Sequence, residues 1–206
     1  MPSPHGATSV NLSELRAAVR RRLLDVTEPT LWSNSEIDAN LNEAEREACV
    51  RALLIEDNSS QLTQIDVTTD ETRYVIDPRV IDVISIEAAA NPGIPFYGWT
   101  ITEGQLVLDR PPSADDTLTI RCYRLPLSDM EEDDDTPEIR AMHHDRMCDW
   151  AISLCYLVPD ADAFDQQASD RYAARFTQSF GERQSALTMR NHRSKSACVV
   201  VGNGSI

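Results

Sequence analysis

The sequence predicts an α+β protein: a four-helix bundle with a small antiparallel β-sandwich or barrel inserted between helices 2 and 3, plus an extended C-terminal tail. Three observations predict it. Apolar residues recur at three-and-four spacing from Leu12 to Leu53 and again from Ile139 to Phe180, the period of amphipathic helices. Between these stretches the period drops to two, in short runs broken by turn residues. After Leu187 neither period continues. The expected layout is an N-terminal arm over residues 1–10, a first part of the bundle over 11–60, an inserted β-domain over 61–126, an acidic loop with the second part of the bundle over 127–187, and a partner-binding tail over 188–206.

The first helix begins at Asn11, with Glu14 placed three residues later to return the cap. Leu12, Leu15, Val19, Leu23 and Val26 form its buried face. Arg16, Arg20, Arg21 and Arg22 fall around the rest of it and read as a solvated face. The second start is sharper. Ser33 takes the cap and Glu36 the third helical position, while Trp32 and Ile37 occupy the two places of a hydrophobic staple. That helix continues through Leu41, Ala44, Ala48 and Leu53, antiparallel to the first, across a loop around Glu28 to Leu31.

From Leu62 the strands follow. Ile65 with Val67, Tyr74 with Ile76, and Val83 with Ile84 and Ile86 mark three, punctuated by Asp70, Pro78 and Asn91-Pro92-Gly93. Phe96 to Ile101, Gln105 to Leu108 and Thr117 to Tyr123 mark three more, with Glu103-Gly104 as a tight turn. Short strands with close turns read as a sandwich or barrel. An acidic run from Asp129 to Asp135 then leads to Thr136-Pro137, where Thr caps and Pro takes the first helical position. The third helix shows Ile139, Met142, Met147, Trp150, Leu154 and Leu157; after Pro159-Asp160 the fourth shows Phe164, Ala168, Tyr172, Phe176 and Phe180, a ladder read as core.

Charge is divided unevenly. Arg183, Arg190, Arg193 and Lys195 are the only charged residues from Arg183 onward, so the net −15 is a +4 terminal stretch on a −19 body. Phosphate binding depends on Lys and Arg displacing counterions, which argues against a sequence-reading nucleic-acid binder. The longest apolar runs fall far short of the ~20 residues needed to span a bilayer. The opening Met-Pro-Ser-Pro-His-Gly lacks the layout of a signal peptide, so assembly in the host cytoplasm without a membrane partner is expected. Cys49, Cys122, Cys148, Cys155 and Cys198 show neither redox nor metal-ligand spacing and are expected to be free, mostly buried thiols.

Motifs for chemistry are missing. There is no phosphate loop, nucleophile turn or His-Glu-x-x-His helix. Asp160-Ala-Asp162-Ala-Phe164 starts like a calcium loop but places Phe164, Asp165 and Arg171 where an oxygen ligand, a glycine and a bidentate glutamate belong. His143-His144-Asp145 with Cys148 puts His144 and Cys148 one helical turn apart, yet two ligands do not make a zinc site. They read as surface histidines beside an internal thiol. No enzyme activity and no cofactor are expected.

The order of elements resembles the head-to-tail adaptor (connector) proteins of tailed phages. The residues that carry the resemblance are Leu31-Trp32-Ser33 with Glu36-Ile37 and Leu41-Asn42-Glu43-Ala44; Tyr123-Arg124-Leu125-Pro126 with the acidic run and Pro137-Glu138-Ile139; and His144, Asp149-Trp150-Ala151, Cys155-Tyr156, Asp160 to Phe164, and Phe176. Together they span Leu12 to Phe180. The resemblance implies a dodecameric ring beneath the portal protein, in the neck of a virion, continuing the channel through which DNA passes without sequence-specific binding. It also implies a downstream tail or terminator protein as the next partner. In such proteins the C-terminal segment reaches the portal, which assigns that role here to Thr188–Ile206. Within it Arg190, Arg193 and Lys195 would place the tail, and Val199, Val200 and Val201, with Ile206 beyond them, would anchor it by strand addition. The channel-lining surface is not named by any motif. Two rival readings remain: a tail-completion or tail-tube component, and a ligand-binding module using Phe96, Tyr97 and Trp99 of the β-domain.

Overall fold

In the computed structural model, which describes residues 10–159 and 163–183, the chain is α+β, with four helices and two antiparallel sheets. It divides into a helical unit, built from the described parts of residues 1–55 and 125–183, and a β unit, Glu56–Arg124. The expected arm over residues 1–10 lies outside the described residues apart from Val10, as does the stretch from Gln184 onward.

Helix α1 (Leu12–Leu23) carries the expected capping box: the Glu14 amide donates to Asn11 Oδ1 at 2.9 Å and the Asn11 amide to Glu14 Oε2 at 3.1 Å. It stops earlier than the apolar spacing suggests. Leu24 turns left-handed (φ 60°, ψ 24°), and Val26 is exposed rather than part of the buried face. The cause is Asp25, whose carboxylate collects the Leu31 amide (2.8 Å), the Trp32 amide (3.4 Å) and the Arg20 guanidinium (2.6 Å), and so closes the loop. Helix α2 (Asn34–Ala52) starts on the Ser33–Glu36 box, with Trp32 and Ile37 both buried, and ends at Leu53, its left-handed cap.

The third helix departs most from expectation. Helix α3 is His144–Cys155, entered through a 3₁₀ turn at Ala141–His143, and Thr136-Pro137 does not start it. The backbone there has other commitments. The first two amides of α1, Leu12 and Ser13, donate to the carbonyls of Asp135 (2.7 Å) and Asp133 (3.1 Å), and the Ile139 amide donates to Glu45 Oε1 (3.1 Å). An α1 terminus has orphan amides to satisfy, and this extended segment supplies acceptors. Met142 and Leu157 consequently stand exposed instead of in the core. Helix α4 (Gln166–Phe180) is capped by Asp165, so Phe164 precedes it and is exposed; Ala168, Phe176 and Phe180 are buried and Tyr172 half-buried.

The β unit has seven strands: β1 (Glu56–Asp57), β2 (Gln64–Val67), β3 (Arg73–Val75), β4 (Val80–Ala88), β5 (Trp99–Thr102), β6 (Gln105–Leu108) and β7 (Asp116–Arg124). Strand β7 is the spine of the first sheet, paired with β4 along one edge and with β2 and β1 along the other. The second sheet runs β3-β6-β5. Its β5–β6 turn holds Glu103 (φ 53°) and Gly104 (φ 75°), the two positive values that a tight hairpin turn requires. Phe96 lies outside β5; its amide instead donates to Ile86 O at 2.7 Å. Ile65, Val67, Tyr74, Ile86, Leu106, Leu108, Leu118 and Ile120 form one apolar core from both sheets. Each fully buried side chain of this kind contributes about 1.5–3 kcal/mol.

Candidate assembly surfaces

The residues expected to dock the tail, Arg190, Arg193, Lys195, Val199, Val200, Val201 and Ile206, all lie outside the described residues. What the structure does show is how the two sequence-distant parts of the helical unit are locked, and which surfaces that leaves open.

The arginines of α1 are not a solvated face. Arg16 grips Asp38 of α2 through two bonds (2.7 and 2.8 Å) and reaches Asp133 at 2.9 Å. Arg20 joins Asp25, Trp32 O (2.9 Å) and Asn34 (2.7 Å), and Arg22 bridges to Asp145 and to Asp149 (3.3 Å) on α3. Arg21 alone of the four faces solvent. The acidic run is likewise tied rather than loose. Arg46 pairs with Asp129 at 2.5 Å, and the Asn42 amide group exchanges two bonds with the Met130 backbone (3.0 and 2.9 Å). Asp135 accepts the Glu131 and Glu132 amides at 2.8 Å each, which holds its carboxyl below the usual range. The side chains of Glu131, Glu132 and Asp134 remain exposed.

Inside the unit, polar groups are buried that sequence spacing did not single out. Glu45 is buried, and burial pushes its carboxyl up to about 7, although the Ile139 and Glu138 amides favour the charged form. Asp149 is fully buried beneath Arg22 (3.3 Å) and Arg175 (3.4 Å); burial raises its pKa against the pull of the arginines, and its Oδ2 has no partner. The Arg51 guanidinium stacks 4.7 Å from the Trp150 ring and 5.1 Å from Phe176, and bonds Glu47 (2.7 Å) and Thr177 (2.9 Å). Only the Glu47–Arg51 spacing of four residues hinted at this.

His144 is not a surface histidine. It is buried, with Nε2 2.9 Å from the Ile139 carbonyl, because the chain entering α3 folds over it. The Cys148 thiol donates to His144 O at 3.4 Å, and burial pushes it up to about 12, so it is not a poised thiolate. Among the described residues no group of three His, Cys, Asp or Glu side chains could hold a metal ion. Cys49, Cys122, Cys148 and Cys155 are free and buried; Cys198 lies outside the described residues.

Two surfaces of the helical unit stand open. A groove of about 510 Å³ runs between α1 and α3, floored by Ala17, Ala18 and Cys148 and flanked by Glu14, Arg21 and Asp145. The second lies where the α1–α2 and α3–α4 loops meet. Trp32 ties these loops together: its indole N–H donates to Cys155 O at 3.1 Å, and its ring meets Tyr156 edge-on at 6.2 Å, with Tyr156 stacked on Tyr172 at 6.1 Å. Around this anchor Leu24 (86% exposed), Val26, Leu31, Leu157 and Phe164 all face solvent. In the β unit the aromatic trio does not make a platform. Phe96 and Trp99 are half-buried against the core, the Trp99 indole donating to Phe96 O at 3.0 Å, and only Tyr97 is exposed. Among the described residues no helix is long and apolar enough to cross a membrane.

Comparison with known proteins agrees with the element order. No curated protein matches the chain. The family model described as SU10 adaptor protein, however, matches residues 10–197, from the start of α1 past the last described helix. With nearly its whole length matched, the chain belongs to the SU10 adaptor proteins, a family of phage head-to-tail adaptors.

Proposed function

We propose that this chain is a structural neck component of a phage virion: copies form a ring, dodecameric as in the proteins it resembles, beneath the portal and continue the DNA channel toward the tail. The observation that carries this reading is the family match over residues 10–197, which takes in both units and runs on through Arg190, Arg193 and Lys195. The tail from Thr188 to Ile206 docks the portal, its basic residues placing it and the run at Val199, Val200 and Val201 adding a strand to the partner. Charge supports the conduit role. A chain of net −15 repels passing phosphate at short range, within the ~8–10 Å over which salt screens. The placement of Phe96 and Trp99 against the core weighs against a carbohydrate or ligand platform.

The test is native mass spectrometry of the purified full chain, alone and mixed with its cognate portal. A portal complex carrying a ring's worth of copies, lost on truncation at Thr188, supports the assignment and the role of the tail together. A chain that stays monomeric and ignores the portal but binds tail proteins moves the assignment to a tail-completion component.

A further inference from the structure

Five of the ten large apolar side chains that stand exposed among the described residues occupy one end of the helical unit: Leu24, Val26, Leu31, Leu157 and Phe164. They sit on two loops fixed to each other through Trp32, Cys155 and Tyr156, so the cluster is held in place by buried anchors. Leu24 is the plainest case, a large apolar residue left 86% exposed in a left-handed conformation that costs an L-residue energy. Solitary exposed apolar residues need no explanation, but gathered ones mark a contact surface.

The rim of this cluster selects its occupant. Residues 24–36 and 156–167 contain Asp25, Glu28, Glu36, Asp160, Asp162 and Asp165 and not one Lys or Arg. Arg20, which reaches in from α1, is spent on Asp25, Asn34 and Trp32 O. An apolar patch in a purely acidic surround is complementary to apolar side chains set among lysines and arginines. Another copy of this chain is a poor match, since the body ahead of Arg183 carries −19. Position adds a second constraint. Helix α4 starts at this end and runs its 15 residues away from it, about 22 Å, so the tail beyond Arg183 departs from the opposite end.

We infer that the acid-rimmed apolar tip formed by Leu24, Val26, Leu31, Leu157 and Phe164 is a second docking surface, which receives a basic-rimmed apolar patch on the neck protein lying on the tail side of the adaptor. The inference rests on the adaptor reading above: the tail engages the portal, and the opposite end of the helical unit engages the next component.

The experiment uses the full chain and a Leu24→Asp/Val26→Asp double variant. Both side chains are exposed, so the variant folds, and amide exchange over α1 and α2 checks this. Native mass spectrometry and titration are run against the cognate portal and against the cognate first tail protein. The expected result is portal binding and copy number as in the parent, with affinity for the tail protein reduced at least ten-fold and, in the parent, weakened by salt. Unchanged affinity for the tail protein overturns the inference. Loss of self-assembly with the tail-protein contact intact also overturns it and assigns the tip to a second copy. Truncation at Thr188 that raises deuterium uptake over residues 24–31 and 157–159 overturns it in favour of the chain's own tail. A parent chain that binds neither protein brings down the adaptor reading itself, before any variant is compared.

Discussion

In the β unit the buried carboxylate of Asp57 faces a guanidinium, whereas in the helical unit that of Glu45 faces only backbone amides. Asp57 bonds Arg124 Nε at 2.5 Å and accepts the Ser59 and Ser60 amides at 2.8 and 3.1 Å. Burial alone would raise its pKa, but Ser60, Ser59 and Arg124 outweigh burial and hold it well below the carboxylate range. Glu45 has no such cation, so burial wins. The difference teaches how each unit is specified. A single contiguous segment, Glu56–Arg124, closes the β unit around an apolar core and needs one strong polar pair where its first and last strands meet. The helical unit must join two segments separated by the whole β unit, and does so through many polar locks, each costly to bury.

The largest way to break this contrast is Asp57→Ala. Removing one partner of a buried ion pair leaves the other desolvated beside a lost charge, at a cost of about 3–5 kcal/mol. Amide exchange read over the strands should show the β unit opening at lower denaturant while the helices keep their protection. Equal loss of protection in both units would show that the two do not unfold separately.

Next in size is the pH response. The unfolded Glu45 has a pKa near ~4.3, and in the fold it is raised to about 7, so the native state binds that proton more tightly. Its contribution is therefore fully present below about pH 4.3, falls as pH rises, and is gone above about pH 7. Asp57 has the opposite sign: its depressed pKa gives stability above about pH 4 that is lost only on further acidification, leaving the β unit flat between pH 5 and 8. Glu45→Gln keeps an acceptor for the Ile139 amide and cannot ionise. It should stabilise the helical unit by about 2–3 kcal/mol at pH 8, leave it unchanged near pH 5, and abolish the slope between. Urea titrations at the two pH values check this, and a slope that persists would transfer the effect to Asp149, whose pKa is also raised by burial.

The two units were also unequally legible. Asn11–Glu14 and Ser33–Glu36 announce helix starts because capping is local: the residues that satisfy one another lie three apart. Alternation placed Ile65, Val67, Leu106 and Leu108 in the β core for the same reason. The start of α3 was misread because Thr136-Pro137 is a local signal overruled by distant partners, the α1 amides and Glu45. Strand β1 is only two residues long and has no period to show. Arg16, Arg20 and Arg22 looked solvated because their carboxylates lie on other elements or in the following loop, and such pairs leave no periodic trace in sequence. For the candidate surface, composition reveals an acidic loop and exposed-loop leucines separately. Only the Trp32–Cys155 contact shows that two loops far apart in sequence form one surface.

The smallest expected effect bears most on function. Leu24→Gly removes a side chain that packs on little and relieves a left-handed backbone whose cost for an L-residue is about 1–2 kcal/mol, against the entropy glycine returns to the unfolded chain. A net gain of about 0.5–1 kcal/mol follows, read as a rise in the thermal midpoint. Glycine is the usual residue at such a helix end, so stability alone does not account for leucine there. If the variant is more stable yet binds the tail-side neck protein less tightly, the leucine is retained for contact at the expense of the fold. If it is more stable and binds as before, Leu24 is a tolerated surface residue and the contact rests on Val26, Leu31, Leu157 and Phe164. If it is less stable, the αL cap draws on packing by the Leu24 side chain, and the loop belongs with the polar locks as part of the scaffold.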